Sequence, residues 1–333
     1  MASFDVIGLG ALNVDRIYSV PRVVTDGSEV IRESTAAAGG SAANTVYGLA
    51  RLGLRCGFVG ALGDVDSDIV LDSFAEVGVD TSRIVRKPGV ATDTVFAFAD
   101  PMGRRAMYVQ PGANTLFAPG DVDAAYLADC RLLVTSSFAG DVPLSVQKAV
   151  AQALPPANLV ALSLDAFWVR AGLDALAELV ARSTIVFANT DELGELTGRK
   201  LPAAAEALLT LGCRTVVVTF GGGIERPQWM VAEPQGAAGA PVVCWMASAE
   251  GQGALAAHPT HEGAVVDGTG AGDAFAAGFL WGYLDGEPLL RCASLGHVAA
   301  GFCLERMGCR AGLPTREALL ARHARYFATD RSP

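Results

Sequence analysis

The sequence is poor in basic side chains and in the motifs that they usually build. Lysine occurs only at positions 87, 148 and 200 of the 333 residues, and 25 Lys and Arg stand against 35 Asp and Glu, a formal net charge of −10. This balance excludes a surface for nucleic acid or for an anionic membrane. No Gly-Lys dipeptide occurs, which excludes a Walker-type phosphate loop. Any bound phosphate must therefore be held mainly by backbone amides, arginine or metal.

The chain also lacks disulfide and membrane signatures. Its 7 cysteines include no C-x-x-C pair, and no apolar stretch approaches the ~18 residues of a membrane span. Such scattered cysteines are typical of buried, reduced thiols. The start, "MASFDVIGLG", has no basic region of a signal peptide. We therefore expect a cytoplasmic protein. A loop carries His258, His261 and Glu262, but its spacing does not favour a metal site.

Strand-like and helix-like segments alternate along most of the chain. Residues 4–12 predict a buried strand, and "RLLVTSS", "LVALSLDA", "TIVFAN" and "TVVVTFGGG" predict further strands between Ala- and Leu-rich helices. This rhythm predicts a three-layer α/β/α Rossmann-like core with a mostly parallel central sheet. Residues 233–263 predict short strands and loops.

Two segments depart from that rhythm. Residues 16–40 and 92–110 show the alternation of exposed antiparallel strands, the second around a turn at Asp100-Pro101-Met102-Gly103. We expect them to form a small β-sheet lid over a ligand site. Residues 1–15, 41–91 and 111–333 would then form the core.

The first glycine-rich segment suggests a dinucleotide site but fits it poorly. "VIGLGALN" places Gly8 and Gly10 after a strand, as a dinucleotide fingerprint would. Asn13 stands where the third glycine is needed, and no helix pattern follows directly. A nicotinamide-dependent oxidoreductase is therefore a disfavoured alternative.

Two other glycine motifs each lead into a helix. "GTGAGD" (268–273) runs from the strand-like "GAVVD" into a helix, and its amides could form an anion hole. Asp273 could cap that helix, or accept a proton from an alcohol that attacks a phosphoryl group. A helix cap does not need three glycines before it, which favours the base. In "GGSAAN" (39–44), Asn44 is either a turn-stabilising residue or a ligand contact.

Together, "GGSAAN" and "GTGAGD" resemble the two signatures of the ribokinase-like (PfkB) family of sugar and nucleoside kinases, in order and separation. The resemblance covers nearly the whole chain. It implies that Asp273 is the catalytic base and that Gly270, Ala271 and Gly272 form the anion hole. It also implies a set of residues that bind the acceptor: Asn13 and Asp15 of "LNVD" at the end of the first strand, Gly39, Gly40 and Asn44.

The resemblance further implies ATP and Mg²⁺ as cofactors. Asn189 and Glu192 of "NTDE" would organise Mg²⁺ through water, which suits the tight hydration of this ion. Residues expected around the nucleotide are Thr219, Gly221, Thr269 and His297. Asp267 could contribute to a site for a monovalent cation such as K⁺. Dimerisation through the lid sheets is a habit of the family.

Several positions depart from the family pattern. In the second signature, Gly268 stands where the family usually has threonine. Ser41 and Ser137 stand where ribokinase has a lysine and a glutamate, and Ile224 stands where the nucleotide loop has a later glycine. These changes argue against ribose and leave a hexose, a keto-sugar or a nucleoside. Arg104 and Arg105 could reach an acidic substrate, but paired arginines at a hairpin are more often solvated charges.

We therefore expect an ATP- and Mg²⁺-dependent kinase of a small sugar. The alternatives are a nucleoside kinase of the same fold and a non-catalytic sugar- or nucleotide-binding member. Retention of Asp273, Asn189 and Glu192 together speaks against the last.

Overall fold

The large sheet dominates the architecture. The computed structural model describes residues 2–102, 104–138 and 140–327. In chain order, the strands of this sheet are β1 (Phe4–Leu9), β4 (Cys56–Leu62), β5 (Asp80–Arg86), β8 (Cys130–Thr135), β9 (Leu159–Ser163), β10 (Ile185–Asn189), β11 (Thr215–Ile224), β12 (Gln235–Gly236), β13 (Val242–Ser248) and β14 (Gly251–Ala256). Their spatial order is β12-β14-β13-β11-β10-β9-β8-β1-β4-β5.

Most neighbouring strands of this sheet are parallel. In the spatial order from β11 through β10, β9, β8, β1 and β4 to β5, every neighbouring pair is parallel. β13 runs antiparallel to both β11 and β14. The central strands are nearly all apolar and buried, as expected for a sheet that is covered on both faces. The mostly parallel sheet predicted from the sequence is confirmed.

Helices cover both faces of the large sheet. Their bounds are α1 (Ser41–Arg51), α2 (Ser67–Glu76), α3 (Ala124–Ala128), α4 (Asp141–Ala153), α5 (Ala166–Ala171), α6 (Leu173–Arg182), α7 (Thr190–Thr197), α8 (Ala203–Leu211), α9 (Ala271–Leu284), α10 (Leu289–Cys303) and α11 (Arg316–Phe327), with 3-10 turns at Ala113–Leu116 and Pro119–Asp121. Helices α1, α2 and α9 to α11 pack in one apolar cluster, and α3 to α8 pack in the clusters of the other face. Within the described ranges, no helix is long and apolar enough to cross a membrane.

The second sheet has four strands. They are β2 (Asn13–Ser19), β3 (Glu33–Gly39), β6 (Asp93–Ala99) and β7 (Arg105–Gln110), in the order β3-β2-β6-β7. β6 and β7 form the expected antiparallel hairpin; Gly103 of its predicted turn lies outside the described residues. We refer to this sheet as the lid sheet.

Two local expectations were wrong. Asn13 and Asp15 do not end the first strand: β1 stops at Leu9 and both residues lie in β2. The chain turns at Gly10, where a Cβ would come within 2.9 Å of the Ala42 methyl group. "GAVVD" is not a strand either. The amide of Val266 donates to the carbonyl of Leu304 (2.8 Å), just beyond α10, so this segment is tied to a helix end instead.

Candidate active site

A cavity of about 370 Å³ opens at the carboxyl ends of β9, β10 and β11. This is the edge where open α/β sheets bind their ligands. Val95 of β6 and Met107 of β7 close it from the lid sheet. Its lining residues are Asn13, Asp15, Gly40, Ser41, Asn44, Val95, Met107, Ser163, Leu164, Asp165, Phe187, Ala188, Asn189, Glu192, Thr219, Thr269, Gly270, Gly272, Asp273, Phe275 and Cys309. We call it the acceptor cavity.

Asp273 is held by side chains of another helix rather than by its own. Helix α9 has Gly270 at its N-cap and no side-chain cap. Ser41 Oγ donates to Asp273 Oδ1 (2.6 Å), and Asn44 Nδ2 donates to Oδ2 (2.8 Å). The carboxylate therefore does not act as a helix cap, and it lies at the wall of the cavity.

Burial raises the pKa of Asp273 to about 7. The two hydrogen bonds oppose this effect because they favour the charged carboxylate, whereas the negative charges of Asp15 and Asp165 reinforce it. A carboxyl group with a pKa near neutrality can exist in either protonation state at physiological pH. It can accept a proton far more readily than an ordinary surface aspartate.

A buried arginine lies behind Asn44. Arg310 Nε donates to Asn44 Oδ1 (2.9 Å), which leaves the amide nitrogen of Asn44 to face Asp273. Arg310 also donates to the carbonyl of Gly39 (3.2 Å), and its guanidinium lies over the ring of Phe74. Burial lowers the pKa of Arg310 to about 10, so it stays charged at neutral pH. Arg310 thus fixes the orientation of the amide that holds Asp273.

Asp15 and Asn13 enter the cavity from the first residues of β2. Burial raises the pKa of Asp15 to about 6, and the charge of Arg310 opposes that rise. Asn13 Oδ1 accepts from Asn114 Nδ2 (3.0 Å). A Cβ at Gly39 would lie 2.2 Å from the Asp15 carboxylate. Gly39 therefore packs behind Asp15 and is not a lining residue, whereas Gly40 does line the cavity.

Three polar side chains lie at the carboxyl ends of two neighbouring parallel strands: Asp165 after β9, Asn189 at the end of β10, and Glu192 just after it. Asn189 and Glu192 form a capping box at the start of α7: Asn189 Oδ1 accepts from the Glu192 amide (2.8 Å), and Glu192 Oε2 accepts from the Asn189 amide (2.9 Å). Burial raises the pKa of Glu192, and the nearby Asp165 adds to the rise. These oxygens gather negative charge beside Asp273. The described residues contain no cluster of His, Cys, Asp and Glu that could hold a metal alone.

A second cavity of about 410 Å³ adjoins the first and shares Thr219, Gly272 and Phe275 with it. Its other lining residues are Gly221, Gly222, Val243, Pro259, Thr260, His261, Val265, Gly268, Ala271, His297, Ala300, Gly301 and Leu304. His297 Nε2 lies 3.0 Å from the carbonyl oxygen of His258. Gly221, Ala271 and His297 therefore lie here and not in the acceptor cavity. We call this space the nucleotide cavity, as we call the first the acceptor cavity, after the ligands that the family resemblance implies for them.

The two glycines at the start of α9 differ in their surroundings. Gly270 has a φ of 79°, and a Cβ there would lie 2.7 Å from that of Cys309. The backbone therefore requires glycine at this position. A Cβ at Gly272 would meet nothing within 4 Å, because this residue faces the space that the two cavities share. Packing therefore does not require glycine at 272.

Asp267 is paired across the lid. Arg105 of β7 forms an ion pair with Asp267 Oδ1 (2.8 Å) and donates to Thr269 Oγ1 (2.8 Å). Thr269 in turn donates its hydroxyl to Asp267 (2.8 Å). Arg104 instead folds back on Asp100 of its own hairpin (2.8 Å). The expectation of two solvated arginines was therefore wrong for Arg105, because the closed lid brings it to the glycine loop.

Several site residues escaped the sequence analysis. Asp165 stands near the end of the predicted strand segment "LVALSLDA", and the rule that ligands bind beyond strand ends could have found it. Arg310, Asn114 and Cys309 carry no local signal, since only the tertiary fold brings them to "LNVD" and "GGSAAN". Ser137 does not line the acceptor cavity; its amide donates to Asp165 Oδ2 (3.1 Å). The 7 cysteines are all buried and unpaired.

The chain belongs to the pfkB family of carbohydrate kinases, whose model matches residues 3–223 and 230–316. A relative named as an uncharacterized sugar kinase of Archaeoglobus fulgidus is 31% identical over 271 residues, covering 80% of this chain and 98% of that protein. The protein is thus a phosphotransferase of the sugar and nucleoside kinase class.

Solved structures support the same fold. The adenosine kinase of Sinorhizobium meliloti is 25% identical, with a TM-score of 0.78 over 97% of this chain and 100% of that chain. A protein from E. coli described as a ribokinase II, solved with ATP and Mg²⁺, has a TM-score of 0.79 at 20% identity and covers 97% of this chain and 99% of that chain.

Proposed function

We propose that the protein transfers the γ-phosphoryl group of ATP to a hydroxyl of a small sugar, with Asp273 as general base. The observation that carries this proposal is the position of Asp273. Its carboxylate lies in the acceptor cavity, one residue from Gly272, where the two cavities meet. A hydroxyl in the first cavity can therefore face a phosphoryl group that enters from the second.

The site residues divide the work between them. Asp15 and Asn13 offer acceptor and donor groups to the hydroxyls of the substrate, with Gly40 and Asn44 beside them. The amides of Gly270, Ala271 and Gly272, at the positive end of α9, stabilise charge that develops on the phosphoryl oxygens. Asp273 takes the proton of the attacking hydroxyl. Closure of the lid sheet, formed mainly from residues 16–40 and 92–110, excludes water from this reaction.

The oxygens at the strand ends fit Mg²⁺. Asn189 and Glu192 would hold it through water, and Asp165 adds a third oxygen-bearing side chain beside them. Burial is the main cause of the raised pKa of Glu192, and the negative charge of Asp165, which a divalent cation would offset, adds to it. Mg²⁺ supplies charge neutralisation on the phosphates when bound. Thr219, Gly221 and His297 line the nucleotide cavity and would contact ATP there, and Thr269 would contact it from the acceptor cavity. A monovalent cation at Asp267 would have to share that carboxylate with Arg105.

A nucleoside is the second candidate acceptor. Val95, Met107 and Phe187 give the acceptor cavity an apolar wall that suits a nucleobase better than a second sugar ring. The 25% identical adenosine kinase is also consistent with this candidate. A homodimer through the lid sheets remains a prediction.

A substrate panel tests the proposal. Hexoses, keto-sugars, pentoses and nucleosides would each be mixed with ATP–Mg²⁺, and ADP formation would be followed by a coupled assay, with mass spectrometry of the product. We expect one class to give phosphorylated product well above the ATP hydrolysis measured without acceptor. If no acceptor of either class is phosphorylated, the proposal is wrong.

A further inference from the structure

The described residues that line the two cavities include several carboxylates but no lysine or arginine. Four carboxylates line the acceptor cavity, namely those of Asp15, Asp165, Glu192 and Asp273. Among the described residues that line either cavity, none is lysine or arginine. A polyphosphate that enters this space needs positive charge nearby, since like charges at short range in a partly buried site repel strongly.

Arg105 is the guanidinium that the fold brings to the glycine loop. A Cβ at Gly268 would lie 3.2 Å from Arg105 Nη2, and Arg105 Nη1 donates to Thr269, the residue before the N-cap of α9. Its partner Asp267 is buried and also accepts from the amides of Thr269 (3.0 Å) and Gly308 (3.0 Å). Arg105 thus pairs with a carboxylate that backbone amides already hold in place.

The contact joins two parts of the chain that must separate when the cavity opens. Arg105 is the first residue of β7, and Met107, two residues along the same strand, closes the acceptor cavity. Asp267 and Thr269 lie in the loop that begins the anion hole. The ion pair and the hydrogen bond can therefore exist only when the lid sheet lies over the site.

We propose that Arg105 is a lid-borne positioning residue that latches the lid sheet to the glycine loop through Asp267 and Thr269. The latch holds the lid sheet over the acceptor cavity, so that the substrate hydroxyl and the anion hole stay together. This inference rests on the proposed kinase function for its catalytic consequence, but the latch itself is a property of the fold.

Arg104 provides a matched control. It is adjacent in sequence, carries the same charge and is also exposed in part, but it pairs with Asp100 inside its own hairpin. Arg104→Gln therefore changes net charge and the lid surface without touching the loop. Arg105→Lys keeps the charge but cannot reach Asp267 and Thr269 with two separate nitrogens.

Hydrogen exchange of the unliganded protein tests the latch without any assay of activity. We expect Arg105→Gln to raise amide exchange in β7 and in the loop at 267–270 at least fivefold over Arg104→Gln, with exchange of the central strand β1 unchanged. Arg105→Lys should give an intermediate increase. Equal exchange in Arg105→Gln and Arg104→Gln would overturn the latch.

The kinetic consequence is measured with the acceptor that the substrate panel identifies. If the lid opens more often, water replaces the substrate hydroxyl as the group that attacks the γ-phosphorus, giving ADP and inorganic phosphate. We expect Arg105→Gln to raise the acceptor KM about tenfold and to increase the ratio of ADP to phosphorylated product, whereas Arg104→Gln stays within twofold of the unaltered protein. Unchanged KM and ratio in Arg105→Gln would contradict a positioning role. Failure of the panel would instead count against the kinase proposal alone.

Discussion

The acceptor cavity and the nucleotide cavity are built in different ways. The acceptor cavity is defined by side chains that hold one another: Arg310 fixes Asn44, and Asn44 with Ser41 fixes Asp273. The nucleotide cavity is lined largely by glycine, alanine and other small or apolar residues, and it offers mostly backbone. Changes on the acceptor side should therefore propagate through hydrogen bonds, whereas changes on the nucleotide side should act by local shape.

The largest expected effect separates chemistry from nucleotide binding. Asp273→Asn removes the proton acceptor, so kcat should fall by roughly 10²–10⁴, the usual contribution of a general base. The Kd for ATP–Mg²⁺, measured by calorimetry, should change less than about threefold, because few contacts of the nucleotide cavity involve this carboxylate. A variant that turns over at nearly the original rate would show that Asp273 is not the base.

The next comparison uses the two glycines that begin α9. Gly272→Ala places a methyl group in open space between the cavities. We expect the melting temperature to be nearly unchanged, with kcat reduced about 10- to 100-fold because one oxyanion donor is obstructed. A fully active Gly272→Ala enzyme would argue against an anion hole at this amide.

Gly270→Ala is the matched control for stability. It forces a non-glycine residue to φ 79° and against Cys309, so we expect about 2–4 kcal/mol of destabilisation in chemical denaturation. The two alanine variants therefore separate a glycine that the backbone requires from one that the ligand requires.

A smaller effect should come from the arginine behind the site. Arg310→Met leaves Asn44 Oδ1 without its donor, so the amide can rotate away from Asp273. We expect kcat to fall about tenfold and the acid limb of the pH profile to move upward, because a positive charge that favours the ionised carboxylates of Asp15 and Asp273 is lost.

Arg322→Met is its control. Arg322 is also buried, lies over the ring of Phe302 and pairs with Glu305. It lines neither cavity, and it contacts the nucleotide cavity only from behind, through the carbonyl of Thr260 (3.5 Å). This variant should lose stability while its pH profile stays in place. Identical profiles for the two methionine variants would remove the positioning role of Arg310.

The sequence predicted the residues of the acceptor cavity better than those of the nucleotide cavity. "LNVD", "GGSAAN" and "GTGAGD" are short motifs, and the fold brings Asn13, Asp15, Asn44 and Asp273 together in one cavity. The alternation of strand-like with helix-like segments likewise predicted the parallel sheet, and the alternation of residues along 92–110 predicted the β6–β7 hairpin. Both predictions depend on local periodicity. Arg310, Asn114 and Arg105 could not be predicted in this way. Each acts across more than 100 positions of the chain, and no local pattern records such a contact.

The last prediction concerns pH. It separates the effect of protonating Asp273 on activity from the effect of the same protonation on stability. A base must be deprotonated to act, so kcat/KM should fall as the pH drops through about 7, to roughly one tenth of its plateau at pH 6. The contribution of Asp273 to the free energy of unfolding should change in the opposite direction and become more favourable as the pH falls. The pKa of Asp273 is raised above its ordinary value of 3.8, so the charged form is disfavoured in the folded state, and the resulting penalty shrinks as the pH falls from 7 towards 4. Thermal melts at pH 8 and pH 6 check this sign, with Asp273→Asn as the control: its melting temperature should exceed that of the unaltered protein at pH 8, and the difference should narrow at pH 6. A difference that widens at pH 6 would mean that the Asp273 carboxylate is stabilised by the fold, contrary to a raised pKa.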